Sequence, residues 1–256
     1  MTSRNRNKLN QLLNSWPRGS VASYAWLDQL EISRQLVDQY RKKWVHSIGR
    51  GAIVRNGDKV AWAGGLFAIQ KQLKLNIHAG ARTALTFAGR AHYLRFGSEN
   101  IFLFGSIGTR LPTWFKQHDW GDRIVFVATN LFPAELKLGL LEKEQGDFTI
   151  QISSPERAIL ETLYQIGRNQ GFDEAVKIFQ GLTTLRSDVL QTLLESCASI
   201  KVKRLFLYLA EKINYAWFAK LDPSKIDLGT GKRSIVPNGR LDKKYLITVP
   251  KEDENE

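Results

Sequence analysis

Several things are scarce in this chain of 256 residues. It has a single cysteine, Cys197, so no internal disulfide can form, and a reducing, cytoplasmic setting is expected. Its four histidines, His46, His78, His92 and His118, lie far apart and, with one cysteine, give no zinc-ligand spacing. No apolar run approaches the roughly 18 residues that read as a membrane span; the longest are broken by glycine or charge. The opening MTSRNRNKLNQLLNSW is basic and is followed by no apolar core, so secretion is not expected. Acids are also in short supply: 25 Asp and Glu face 37 Lys and Arg, a net charge of +12. With 43% hydrophobic and 24% charged residues the composition is that of a globular protein, so wholesale disorder is excluded. At this length two domains are expected, with a polyanion, nucleic acid before membrane, as the partner. No metal, cofactor or membrane partner is expected.

The positive charge is concentrated. Residues 1–60 hold eleven Lys and Arg (4, 6, 8, 18, 34, 41, 42, 43, 50, 55 and 59) and four acids, a net +7. The remaining 196 residues carry only +5, and the final Glu252, Asp253, Glu254 and Glu256 read as a solvated acidic tail, residues 251–256.

Within the basic segment, Leu9, Leu12, Leu13 and Trp16 fall at helical spacing, and Pro17-Arg18-Gly19 stops that helix. Ser20 is placed to cap a second short helix from Val21 to about Leu30, with Val21, Ala25 and Leu30 inward. After the tight connection Glu31-Ile32-Ser33, Ser33 can cap a third helix from Arg34 to Trp44. Leu36, Val37, Tyr40 and Trp44 then share one face. The other face carries Gln35, Asp38 and Lys42, flanked by Arg34, Gln39 and Arg41. Glutamine can bond adenine edges and arginine or lysine guanine edges, while the remaining cations suit phosphates.

Ile48, Ala52 and Val54 then fit two short strands, with a turn that glycine permits at Gly49 to Gly51. A basic hairpin behind such a helix is the wing of a winged helix-turn-helix, with Arg50 its natural phosphate or minor-groove contact. His46 reads as a helix-end capping residue. Residues 1–60 are therefore expected to be a winged-helix DNA-binding domain. Its candidate contacts are Arg18, Ser20, Arg34, Gln35, Asp38, Gln39, Arg41, Lys42 and Arg50.

Gly57-Asp58 and Gly64-Gly65 bracket a joint at Val60-Ala61-Trp62. Beyond it the pattern predicts a helix over 66–75 and strands at 77–79, 92–96, 101–104, 123–127 and 148–152. Ser153-Ser154-Pro155-Glu156 is an N-cap signal with proline at the first helical position. It opens a helix to about Ile166, followed by helices near 172–181, 186–196 and 201–219 and a return to strand over 225–249. Strands first and helices afterwards predict an α+β domain over residues 61–250.

That region has no convincing catalytic pattern, and an enzyme is not expected. Gly105-Ser106-Ile107-Gly108 and Gly229-Thr230-Gly231-Lys232-Arg233 read as turn glycines. The second departs from a P-loop at Ile226 and Arg233. Asp122, Glu135 and Lys137 have the residue types of a metal-dependent nuclease, but Phe132-Pro133 points to a loop there. Cys197 reads as buried and inert. The basic cluster Lys201, Lys203 and Arg204, with Lys232-Arg233 and Lys243-Lys244, leaves a solvated face and a second contact surface equally open.

In motif order the chain resembles the AbiEi family, the antitoxins of type IV toxin–antitoxin systems. The resemblance runs from Trp16-Pro17-Arg18-Gly19-Ser20-Val21 through Ile32-Ser33-Arg34-Gln35-Leu36 and Ile48-Gly49-Arg50-Gly51-Ala52. It continues with Ala91-His92-Tyr93-Leu94, Leu111-Pro112-Thr113-Trp114-Phe115 and His118-Asp119-Trp120-Gly121. Its most specific pieces are Ser153-Ser154-Pro155-Glu156-Arg157-Ala158, Leu228-Gly229-Thr230-Gly231-Lys232-Arg233 and Tyr245-Leu246-Ile247-Thr248-Val249-Pro250.

The resemblance implies a bifunctional protein. Its N-terminal winged helix would bind inverted repeats of double-stranded DNA in its own promoter and repress it, with two copies on the DNA. Its C-terminal domain would oppose a nucleotidyltransferase-type toxin without a stable complex. Two other functions stay open from the residues alone: a winged-helix regulator whose C-terminal domain senses a ligand, and a DNA-targeted metal-dependent nuclease.

Overall fold

The computed structural model describes residues 12–41, 43–89 and 99–251. Leu9, Lys42, the expected strand at 92–96 and the acidic residues 252–256 lie outside the described residues. The protein is α+β and divides into two compact units, Met1–His78 with Arg95–Ala128 and Glu142–Ile152, and Ala79–Leu94 with Thr129–Leu141 and Ser153–Glu256.

The first unit begins with α1 (12–15), β1 (Ala22–Ser23), α2 (Tyr24–Gln29), α3 (Arg34–Arg41), β2 (Val45–Gly49) and β3 (Ala52–Arg55). The three strands form an antiparallel sheet ordered β1-β3-β2. Leu12, Trp16, Leu27, Ile32, Leu36, Val37, Tyr40, Val45 and Ile53 bury one another between helices and sheet. Burial of this apolar set is the main force holding three short helices that would be marginal alone.

Then come α4 (Trp62–Phe67), which runs on into a π-helical turn at Ala68–Gln72, and β4 (Ile77–Ala79), α5 (Ala81–Phe87), β5 (Asn100–Gly105), α6 (Thr113–Gln117), β6 (Arg123–Ala128), β7 (Leu140–Gln145) and β8 (Phe148–Ser153). The five strands order as β6-β5-β4-β8-β7, with β5 and β6 parallel.

Two glutamines of the π-turn hydrogen-bond to the backbone of nearby strands. Gln72 accepts from the Ser23 N–H and donates to the Val21 carbonyl, both at 2.8 Å, completing the free edge of β1. Gln70 accepts from Gln151 N–H at 2.8 Å and donates to the carbonyls of Ile77 and Gln151. Buried amides satisfied in this way avoid the cost of an unpaired backbone group.

The second unit is mainly helical: α5, α7 (Pro155–Tyr164), α8 (Phe172–Gln180), α9 (Ser187–Ser196) and α10 (Ile200–Ile213), then β9 (Arg233–Ser234), β10 (Arg240–Asp242) and β11 (Ile247–Val249). Pro155 opens α7 as expected, and Ser154 takes the N-cap position. Its hydroxyl, however, caps no backbone N–H and pairs with the Glu156 carboxylate at 2.6 Å. α10 ends at Ile213, short of the expected 219, because Asn214 turns left-handed (φ 58°) and caps it.

Candidate nucleic-acid interface

α3 is built largely as the periodicity predicts. Ser33 Oγ accepts from the Leu36 N–H, Leu36, Val37 and Tyr40 face the core, and Arg34, Gln35, Asp38, Gln39 and Arg41 are exposed. Trp44 is a correction. The regular helix ends at Arg41, so Trp44 leaves the buried face, is 42% exposed and lies under the Lys43 ammonium, 5.3 Å from the ring centroid.

The second helix also differs from expectation. It is capped by Ser23, whose hydroxyl accepts from the Trp26 N–H, and starts at Tyr24. Val21 and Ala22 precede it, β1 pairing Ala22 with Ile53. With Val21 outside the helix, Leu27 is its buried residue and Ala25 is exposed. Ser20 is no cap: it is fully buried and donates its hydroxyl to the Pro17 carbonyl at 2.7 Å. Arg18, beside it, is exposed.

Tyr24 was not among the expected contacts, yet it organises them. The Arg34 guanidinium lies 5.5 Å from its ring centroid, and Arg41 Nη2 donates to its hydroxyl at 3.3 Å. Arg41 also lies 3.7 Å from Asp38, one turn back on α3. Two arginines two turns apart thus share one tyrosine, Arg34 at its ring and Arg41 at its hydroxyl, and no spacing rule within α3 could reveal a partner supplied by α2.

The wing is a hairpin of β2 and β3 with a bulge between Ser47 and Gly49. Gly49 (φ 147°) and Gly51 (φ 109°) adopt backbone angles that L side chains rarely reach, and the exposed Arg50 sits between them. His46 lies within β2, where Nδ1 is 2.8 Å from Asn56 Oδ1, so its expected place at a helix end is corrected.

Arg55 is a cation that does not belong to the interface. Its guanidinium donates to the carbonyls of Leu13 and Trp16 and lies 5.1 Å from the Trp16 ring centroid, capping α1. Burial lowers its pKa, with Asp58 opposing and Arg18 adding to the fall.

In the second unit the cations at the start of α10 turn inward, whereas Lys232, Lys243 and Lys244 are exposed. Arg204, 2% exposed, donates to the carbonyls of Leu228, Gly229, Gly231 and Leu246. Lys203 donates to the Asp227 carbonyl and Lys201 to that of Ile166. Gly229 and Gly231 take positive φ and serve as turn glycines, as expected.

Glu161 accepts from the Ala81 N–H, Ser153 Oγ and Arg157 Nε, while Arg157 Nη1 also donates to the carbonyls of Leu136 and Leu138. Burial alone would raise the Glu156 pKa, but Arg186, Ser154 and backbone donors hold it down to about 2. The Ser153–Arg157 motif is thus a structural ion-pair and hydrogen-bond centre. Burial pushes the Cys197 thiol up to about 11. Glu135 is an exposed turn residue, and among the described residues no group of three His, Cys, Asp or Glu side chains could hold a metal. No described helix is long and apolar enough to cross a membrane.

Among the described residues up to Arg55, three helices, a β1-β3-β2 sheet and a glycine-hinged hairpin behind an exposed polar helix have the arrangement of the winged helix-turn-helix class. The chain belongs to the AbiEi antitoxin family. Residues 5–96 match the N-terminal domain of that transcriptional regulator, and residues 98–250 match the family of AbiEi antitoxin transcriptional regulators of type IV toxin–antitoxin systems. Among solved structures the fold is similar to the RV2827C protein of Mycobacterium tuberculosis, with 13% identity and a TM-score of 0.59 over 96% of this chain and 92% of that one. No curated protein matches the chain.

Proposed function

We propose that this protein is a DNA-binding autorepressor and an antitoxin that neutralises a nucleotidyltransferase-type toxin in the cytoplasm. Residues 1–60 read double-stranded DNA, residues 61–250 carry the antitoxin activity, and residues 251–256 form an acidic tail. It works by binding and has no catalytic step. The observation that carries the DNA reading is the exposed, cation-flanked face of α3 next to a wing that presents Arg50. Gln35 and Gln39 read base edges, while Arg18, Arg34, Arg41, Lys42 and Arg50 supply base or phosphate contacts and Asp38 orients Arg41. Inverted repeats would hold two copies. Family membership supports the antitoxin half; no stable complex with the toxin is needed.

Fluorescence anisotropy of the full chain on its own upstream DNA and on a scrambled duplex, across a salt series, tests the reading. A preference of about 10³ or more for the upstream DNA is expected of a specific regulator. Equal, steeply salt-dependent binding to both would reduce the domain to a general basic anchor. Co-expression with the neighbouring toxin gene should restore growth, and continued growth arrest would refute the antitoxin half.

A further inference from the structure

The wing is not a free arm. A Cβ built on Gly49 would stand 3.1 Å from both Cα and Cβ of Trp114, and one on Gly51 would stand 3.6 Å from Trp114 Cδ1. The wing turn therefore rests directly on α6, and the absence of a side chain at Gly49 allows the closer of the two approaches. Trp114 is itself buried and held edge-on to Phe115, with ring centroids 5.6 Å apart. Phe115 packs on Trp120 at 5.0 Å, and Trp120 Nε1 donates to the Phe115 carbonyl at 2.8 Å. On the other side, a Cβ on Gly65 of α4 would come within 2.8 Å of both Phe115 and Trp120. α6 is thus wedged between α4 and the wing. Within the hairpin, Ser47 Oγ donates to the Gly49 carbonyl at 2.9 Å, fixing the bulge where β2 meets that wedge.

We infer that Trp114 is a positioning residue for DNA binding: α6 holds the wing in place before DNA arrives, and Trp114 acts through Arg50. This rests on the DNA reading proposed above. The physical reason is preorganisation, since a hairpin already held in its bound place loses less conformational freedom on binding. The support comes from residues 98–250, the part of the chain matched by the second family model, so the DNA-reading element is completed from outside residues 5–96.

The test measures affinity of the full chain for its upstream duplex in Arg50→Ala, Trp114→Ala, Trp114→Leu, Gly49→Ala and the doubles with Arg50→Ala. Gly49→Ala crowds Trp114 but also strains the wing's own backbone at φ 147°, so Trp114→Leu, which keeps the cluster apolar while removing the indole beneath the turn, decides the matter if Trp114→Ala fails to fold. Arg50→Ala should weaken binding about tenfold and reduce the salt slope by about one. Trp114→Ala, Trp114→Leu and Gly49→Ala should show a comparable loss and the same change in slope, and none should weaken binding further once Arg50 is alanine. Trp114→Phe should restore most of the affinity. If Arg50→Ala binds like the parent, the DNA reading of the wing itself fails. If Arg50→Ala weakens binding but the position-49 and position-114 variants leave it intact, or multiply with it, the DNA reading stands and the positioning role is overturned.

Discussion

Two basic clusters, one in each compact unit, contain the same residue types and have opposite fates. In α3 and the wing, Arg34, Arg41 and Arg50 are exposed, and the partners of the first two are an aromatic ring, a hydroxyl and one exposed carboxylate. In α10, Lys203 and Arg204 are buried and spend their donors on the carbonyls of the 227–231 turn and Leu246. A cation that satisfies backbone carbonyls inside the fold is unavailable to a phosphate. One left in solvent beside a groove-sized helix is free to release counterions on binding DNA. Charge count therefore identifies that a polyanion is a reasonable partner, and burial decides which cations meet it.

The largest effect that would break this contrast is at Arg204. Arg204→Ala strands several buried carbonyls and should cost about 3–5 kcal/mol of stability, read as a large fall in melting temperature. Arg41→Ala should change stability by no more than about 0.5 kcal/mol while weakening DNA binding. A variant of Arg204 that melts normally but loses DNA would erase the distinction.

Next comes the carboxylate of the same unit. Arg186→Ala removes two charge-assisted hydrogen bonds from the buried Glu156; because Arg186 is itself 55% exposed and its backbone N–H stays, the loss should be about 2 kcal/mol. The pH dependence follows in sign. Because the folded pKa of Glu156 is depressed from 4.5 to about 2, its stabilisation is complete above pH 4.5 and fades as pH falls towards 2. Thermal melts of Glu156→Gln should accordingly show lower stability at neutral pH and a shallower decline over that window. An unchanged acid slope would remove Glu156 as its source.

The smallest effect sharpens the other side. Gln35→Ala should relax discrimination at one base position by about 1–3 kcal/mol, with no change in melting temperature or salt slope. A binding-site selection that returns the parental preference would mean that Gln35 does not face the bases.

The legible parts of the fold are those whose causes lie within a few residues. Ser33 capping α3, Pro155 opening α7, and glycines hinging the wing all act over one turn of chain. β7 was missed because Leu-Leu-Glu-Lys-Glu-Gln is a polar edge strand with few buried side chains to produce an alternating pattern. α5 was missed because Ala81 starts it at positive φ with no side-chain cap, its N–H held instead by Glu161, eighty residues further on. The Ser20 and Ala25 expectations failed together, since α2 starts three residues later than expected, which leaves Val21 outside the helix and unable to set its inward face.

By itself the sequence determined the class: an α+β chain, a basic winged helix at its start, and a motif order that marks the AbiEi family. Periodicity, caps and turn glycines are local interactions and survive in a linear reading. Only the tertiary structure decided where the cations point, that Tyr24 gathers Arg34 and Arg41, and that Trp114 stands behind the wing. Each of those depends on a partner brought from elsewhere in the chain, more than sixty residues away in the case of Gly49 and Trp114, and desolvation acts on the assembled surroundings of a side chain, whatever its sequence neighbours.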